Sequence, residues 1–298
     1  MSIIKATYSI LPAHDGMRLN EFAEAHLNEY TSKKGVKKAI KRGEILVNAN
    51  HVEGGRFLKE DDIITIVDIE QTPPKVFPID LPVIYEDDFI AVINKPAGLT
   101  VSGNQYKTVL NALGHNLKQS KSEDALPWPQ PAHRLDNQTS GLLLIAKTAK
   151  ARIELGNAFE EKRITKTYAA ILIGKLAEAQ NITFPIDNKP SASLITPLRY
   201  VSSLKNEFLT LVELNPFTGR THQLRIHSAK IGHPILGDKL YGDDGMILKN
   251  KGLFLTAKSL TFQHPINGEE IIVTIELPTK FSRRLENEER RFNKYKLK

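Results

Sequence analysis

The chain of 298 residues contains no cysteine. That absence removes disulfides, thiolate nucleophiles and cysteine-ligated zinc sites together, and it agrees with a reducing compartment. Long apolar runs are also missing. The run over residues 141–146 falls far short of the ~18 residues a membrane-spanning helix needs, so no membrane partner is expected. The first residues, MSIIKATYSILPAHDG, carry neither an extended apolar stretch nor a small-residue cleavage site. No secretory leader is therefore expected, and the expected location is cytoplasmic. Neither a P-loop nor a dinucleotide fingerprint occurs, which argues against nucleotide-driven and hydride-transfer chemistry.

What is present reads as an ordinary globular chain, 41% hydrophobic and 25% charged. It is long enough to bury a core without disulfides or metals and suggests about two domains. The net charge of +7 is unevenly spread: residues 1–70 carry −1, residues 71–279 carry +3 and residues 280–298 carry +5. Such a surplus suits a polyanionic partner, but solubility explains it equally well, so local patches must decide.

Residues 1–70 read as a small α+β domain. Leu19, Phe22, Ala23 and Leu27 recur at helical spacing. A second helix follows Thr31 or Ser32 as N-cap, buries Val36 and Ile40, and ends at Gly43. GEILVNANHV and DDIITIVDI read as strands, with Asn48-Ala49-Asn50 as the turn. The proline-rich residues 71–82 read as an extended linker. A second domain spans residues 83–280, with strands expected in FIAVINK, LLLIAK, KTYAAILIG, FLTLVEL, THQLRIH and EIIVTIEL. Helices are expected over residues 149–162 and shortly after His227, and residues 281–298 read as a basic tail, helical or frayed. The expected class is α+β: the small domain first, then a mixed, largely antiparallel sheet with flanking helices.

The second helix carries Lys33, Lys34, Lys37, Lys38, Lys41 and Arg42 with no acid among them. Such a cationic face suits phosphate contacts, which supply affinity without reading sequence; a solvated lysine surface is the plainer alternative. Residues 17–67, MRLNEFAEAH…TSKKGVKKAIKRGEILVNANHV…LKEDDIITI, resemble an S4 RNA-binding domain, with Asn20 where that family usually has Asp. The resemblance implies RNA contacts from Lys34, Lys37, Lys38, Lys41 and Arg42.

Three segments carry candidate chemistry. In HRLDNQTSGLLLIAK, residues 133–147, a charged loop with Arg134 and Asp136 runs into a buried strand, so chemistry would rest on a rigid element. In NPFTGRTHQLRIHSAKIGHPILGDKLYG, residues 215–242, a strand would place Thr221, Gln223, Arg225 and His227 on one side. Arg225 there suits a buried carboxylate, either as a structural pair or to keep a nucleophile ionised. His222 and His227 would face opposite sides with no acid nearby, so no metal is expected. In KRITKTYAAIL, residues 162–172, Lys166 and Tyr168 share a face, and a tyrosine can stack on a base or move a proton.

Taken with NKPAGL at residues 94–99 and GHPILGDKLYG at residues 232–242, these segments, in this order, resemble the RluA-type family of pseudouridine synthases from about Ile84 to Phe281. Ser102-Gly103 stands where many members have His-Pro. The resemblance implies the pseudouridine synthase fold, an isomerase acting on structured ribosomal or transfer RNA, and no cofactor. It further implies Asp136 as the essential carboxylate, Tyr168 against the target base and Arg225 paired with Asp136. Arg134 would take the place of the flipped nucleotide, and His133, Lys95, Lys166 and Gln223 would line the substrate. A monomer is expected. The reaction needs the base out of its stack, after which Asp136 attacks C1′, takes a sugar proton or adds to the base. Two rival readings are a non-catalytic S4-type RNA-binding factor and a glycosidase, the latter wanting two paired carboxylates.

Overall fold

The computed structural model describes residues 3–27, 29–30, 32–68, 73–242 and 252–296. The chain divides into two compact units, residues 1–72 and 73–298.

The first unit contains β1 (Ile3–Ser9), α1 (Leu19–His26), α2 (Lys33–Arg42), β2 (Ile45–Val47), β3 (Asn50–His51) and β4 (Ile63–Asp68). The strands form an antiparallel sheet in the order β1-β4-β2-β3. Leu19, Phe22 and Ala23 of α1 pack with Val36, Ala39 and Ile40 of α2 against Ile45, Val47, Ile64 and Ile66. The Ser32 hydroxyl accepts the Gly35 amide at the start of α2, and Gly43 closes it in the left-handed conformation. Thr31, the other cap candidate, lies outside the described residues. Asn48 and Ala49 both have positive φ, which matches a two-residue turn to the twist of the strands it joins.

The second unit runs β5 (Val83–Glu86), β6 (Ile90–Lys95), α3 (Val109–Asn116), β7 (Ala125–Pro131), β8 (Ser140–Thr148), α4 (Ala149–Glu160) and β9 (Thr165–Ile173). It continues with β10 (Gln180–Ile182), β11 (Ser193–Ser203), β12 (Glu207–Pro216), α5 (Gln223–Lys230), β13 (Leu255–Gln263), β14 (Glu270–Thr274) and α6 (Thr279–Lys296). One sheet follows the path β10-β11-β12-β9-β13-β8-β6-β5, with β14 on β13 and β7 on β8. Its pairs are antiparallel except β13 with β8, which run parallel over two residues. Alternation along β8 sorts its apolar residues between two cores. Leu143 and Ile145 face α3 with Ala91 and Ile93. Leu142 and Leu144 face α4 with Ile90 and Val92. The Thr148 hydroxyl accepts the Ala151 amide and starts α4 as β8 ends.

The structure departs from sequence expectation in several places. THQLRIH is not a strand: residues from Gln223 onward form α5. Leu224 and Ile226 mimic a period of two, but Gln223, Leu224, Arg225, His227 and Ser228 are all buried. A helix buried around much of its circumference shows no apolar stripe to betray it. Residues 73–82 have no helix or strand, yet they are a strap on the second unit. Phe77, Ile79 and Leu81 pack on its core, and Asn116 bonds the backbone at Ile79 and Leu81. Residues 71 and 72 lie outside the description. The charged C-terminal segment is likewise part of the fold: Phe281 and Leu285, one helical turn apart, are buried with Ile171 and Phe254. The buried Glu288 accepts the Ser203 hydroxyl at 2.6 Å and pairs with Arg284 at 2.9 Å. Strand β7 was concealed by Pro127 and Pro129, residues a central strand excludes but one bordering the sheet path tolerates. Among the described residues no helix is long and apolar enough to cross a membrane.

Gly141 sits where β8 meets β13, at φ +109°, and a Cβ there would collide with the backbone of Ala257. Gly141→Ala should therefore cost at least ~2 kcal/mol, read as a lower urea midpoint. Gly114→Ala, in the open on α3, is the control and should not lower it.

Candidate active site

Asp136 lies in the loop between β7 and β8, whose turn is closed by the Thr139 amide donating to the Asp136 carbonyl at 3.0 Å. A second loop, residues 96–100, is buckled onto it. Asn137 donates its side-chain amide to the Gly98 carbonyl and the Thr100 hydroxyl, and the Gly98 amide donates to the Asn137 carbonyl at 2.7 Å. Beneath both, the Lys95 ammonium is fully buried and donates to the carbonyls of Pro96, Leu99 and Asn137 at 2.9, 2.8 and 3.2 Å. Burial pushes Lys95 down to about 8, against the opposing pull of Asp136. All three of its protons are committed to backbone carbonyls, so Lys95 ties the Asp136 loop to residues 96–99.

Arg225 reaches the site from α5. Its Nη1 is 3.6 Å from Asp136 Oδ2, but its strong partner is Asp238. Nε and Nη2 each donate at 2.7 Å to the two oxygens of that carboxylate. Asp238 also accepts the amides of Leu240 and Tyr241. Burial works against its charge, yet the bonds from Arg225 and the Leu240 amide hold it below the usual carboxylate range. Asp238 is thus both the turn residue that its LGDKLYG context suggests and the anchor of the guanidinium. His222 was missed by sequence reasoning because a strand would turn it away. Its Nε2 is 3.8 Å from Asp136 Oδ1, and its Nδ1 lies 2.9 Å from the Tyr241 hydroxyl. His222 has φ +55° at the start of α5, and that left-handed turn aims the ring back at the carboxylate.

Tyr168 stands across from Asp136 because of sheet register. Tyr168 pairs with Ala257, and Ala257 pairs with Gly141 at the head of β8. One row of three strands therefore carries the tyrosine and the end of the Asp136 loop. Burial, reinforced by the charge of Asp136, pushes the Tyr168 phenol well above its ordinary value. Asp136, Tyr168, Arg225, His222 and Lys166 line one pocket of about 120 Å³, and the Asp136 side chain is 27% exposed there. Among the described residues Asp136 is the one carboxylate lining the pocket; Asp238, behind Arg225, is locked in its pair and 2% exposed. That is not the opposed pair a glycosidase needs.

Residues 89–230 match the family model described as RNA pseudouridylate synthase. The chain is 32% identical over 289 residues to an uncharacterized RNA pseudouridine synthase of Aquifex aeolicus, covering 89% of this chain and 91% of the relative. It is 36% identical over 279 residues to the ribosomal large subunit pseudouridine synthase C of Rickettsia bellii, covering 83% and 90%. The chain belongs to the RNA pseudouridylate synthase family. Among solved structures, human RNA pseudouridylate synthase domain containing 1 superposes with a TM-score of 0.56 at 26% identity, covering 70% of this chain and 86% of that one. The enzyme is an isomerase, its sheet is the fold of its family, and its substrate is RNA.

The remaining expected residues divide by what their polar atoms already do. Gln223 of the synthase is buried, and its amide is fully engaged: it donates to Ala192 and Ser193 and accepts from Thr218 and Arg220. It shapes the loop at residues 217–220 and has no hydrogen bond left for substrate. His133 accepts the Leu144 amide through Nε2 at 3.1 Å and packs on Phe159. Burial and the nearby Lys166 push it down to about 3. It too is a latch, holding the loop to β8. Arg134 is exposed at the pocket rim, and Lys166 is half-buried within the pocket, its ammonium pushed down by burial. These two retain the freedom to meet RNA.

Asp238→Ala strands the buried Arg225 charge and should cost roughly 3 kcal/mol, measured by urea denaturation. The folded state refuses the His133 proton until about pH 3, whereas the unfolded chain accepts it near 6.5. The unfolded state thus binds more protons in that window, and stability falls as pH drops below 6.5. His133→Gln should flatten the fall of the urea midpoint between pH 7 and pH 5.

Proposed function

We propose that Asp136 is the catalytic carboxylate of a pseudouridine synthase whose substrate is large-subunit ribosomal RNA. The reaction breaks the N1–C1′ bond of a uridine, turns the base and joins C5 to C1′, with a proton lost from C5 and one gained at N1. No electron or group donor is required. Asp136 acts at the ribose of the extruded nucleotide. Arg225, held by Asp238, and His222 flank its two oxygens and orient it. Tyr168 remains a phenol at neutral pH, the consequence of its raised value, and so serves as a stacking face and hydrogen-bonding group, not as a phenolate base. Arg134 at the rim fills the gap left in the RNA stack. The observation that carries this reading is the convergence of Asp136, Tyr168 and Arg225, separated in sequence, on one pocket. Support for the RNA class comes from relatives named as ribosomal large subunit synthases in Rickettsia bellii and Xanthomonas campestris.

The first unit serves as an S4-like RNA-binding domain. On α2, Lys34, Lys37, Lys38 and Lys41 are exposed, and among the described residues none of them is ion-paired. Arg42 differs: its guanidinium is bound by Glu44 at 2.5 and 2.9 Å, so it contributes little to phosphate binding. The enzyme works as a cytoplasmic monomer.

Asp136→Asn should abolish tritium release from C5-labelled uridine in ribosomal RNA while leaving RNA affinity unchanged; normal turnover by that variant would remove Asp136 from the mechanism. Changing Lys37, Lys38 and Lys41 together to Glu should raise KM for RNA at least ~10-fold with kcat unaltered.

A further inference from the structure

The reaction pocket opens sideways into a larger cleft that catalysis at Asp136 does not use. This cleft, about 780 Å³ against 120 Å³, shares Arg134, Lys166, Tyr168, Pro216, Gly219 and Arg220 with the pocket. One wall is the end of α4, where the rings of His133 and Phe159 meet tilted by 40° with centroids 4.8 Å apart. The facing wall is the loop that follows β12, with Phe217 at its edge. We propose that this cleft holds a nucleotide adjoining the target uridine in the RNA strand, with Phe217 stacking on its base. The inference rests on the function proposed above and extends it to a second subsite.

Three observations favour this occupant. The lining is cationic, with Arg134, Lys162, Lys166 and Arg220 against a single acid, Glu160, which suits a phosphodiester strand. The cleft is continuous with the pocket for the extruded base, so a strand entering one must pass the other. A lone exposed phenylalanine is unremarkable on a surface, but Phe217, 52% exposed, is offered on a fixed backbone. Its amide donates to the Ala192 carbonyl at 2.9 Å, and the neighbouring Thr218 hydroxyl accepts the Ala192 amide and donates to Gln223. A phenylalanine on a fixed backbone has only its two side-chain torsions to order on stacking, and a flat face accepts any base. Phe217 is thus a positioning residue for the RNA strand. The same bonds explain why the Gln223 amide is so fully engaged: it holds the loop that presents Phe217.

The test uses the full chain and a large-subunit ribosomal RNA transcript labelled with tritium at uridine C5. Phe217→Ala should raise KM roughly 5- to 150-fold, the range spanned by base–aromatic stacking, with kcat unchanged. Phe217→Trp should keep the wild-type KM, and Phe217→Leu, apolar but without a π face, should behave as Ala. In the Asp136→Asn background, where nothing turns over, Phe217→Ala should weaken binding of the same transcript by a similar factor. Lys162→Ala should lower the slope of log affinity against log salt by about 0.7, one single-strand phosphate contact. A wild-type KM for Phe217→Ala, or a leucine variant equal to wild type, overturns the stacking assignment. The wild-type enzyme's own tritium release tests the reaction separately, and the binding arm reads Phe217 whether or not that release occurs.

Discussion

The site is organised around a guanidinium tied to one buried carboxylate, Asp238, and lying beside a second, more exposed one, Asp136. Withdrawing an arginine and an aspartate from water is costly, and their attraction offsets that cost only when the geometry is good and the spare lone pairs are filled. Arg225 and Asp238 meet both conditions, with two 2.7 Å bonds and two backbone amides on the acid. The fork is therefore held at two of its nitrogens. Asp136 sits 3.6 Å from it, near enough to feel its charge. Among the described residues no side chain donates a hydrogen bond to the Asp136 carboxylate, so its oxygens are left for the substrate. Division of labour between two acids, one structural and one exposed, lets a single arginine serve both.

The rest of the second unit delivers these groups to one place. The short parallel join between β8 and β13 aligns Gly141, Ala257 and Tyr168 in one row, and only a glycine fits at the end of that row. The Lys95 ammonium then substitutes for a small core beneath two loops, satisfying three carbonyls that neither loop satisfies by itself. A charged side chain is used because loops expose backbone oxygens, and a methyl-rich filler would leave the carbonyls of Pro96 and Leu99 unpaired.

Within each unit the cations differ in whether the protein already pairs them. Among the described residues several cations on α2, and separately several around the side cleft, stand without a counter-ion, while Arg42 and Lys33 are paired within the protein. An ion pair on a wet surface adds little stability, but it does subtract a cation from the field that attracts a polyanion. Counting basic residues therefore overstates the binding face; pairing decides which of them count.

Much of this was legible before any coordinates. The helices of the first unit, the Ser32 and Gly43 caps, the Asn48-Ala49 turn and strands β6, β8, β9 and β12 follow from local pattern and capping chemistry, which are short-range. The motif segments also named Asp136, Tyr168 and Arg225. Less visible was anything set by burial or by partners distant in sequence. Period-two apolar spacing disguised α5 as a strand, and His222 was turned away with it. Lys95 and Gln223, both drawn toward substrate by their place in motifs, are held by backbone carbonyls and hydroxyls from other loops. Residues 73–82 look like a tether in composition and are a packed strap in fact. The sequence by itself determined the chemistry available, since side-chain identity and local periodicity are properties of the chain alone. Only the tertiary structure decided which of those groups are consumed in holding one another and which remain open to RNA, because desolvation and hydrogen-bond satisfaction depend on neighbours that the sequence does not make adjacent.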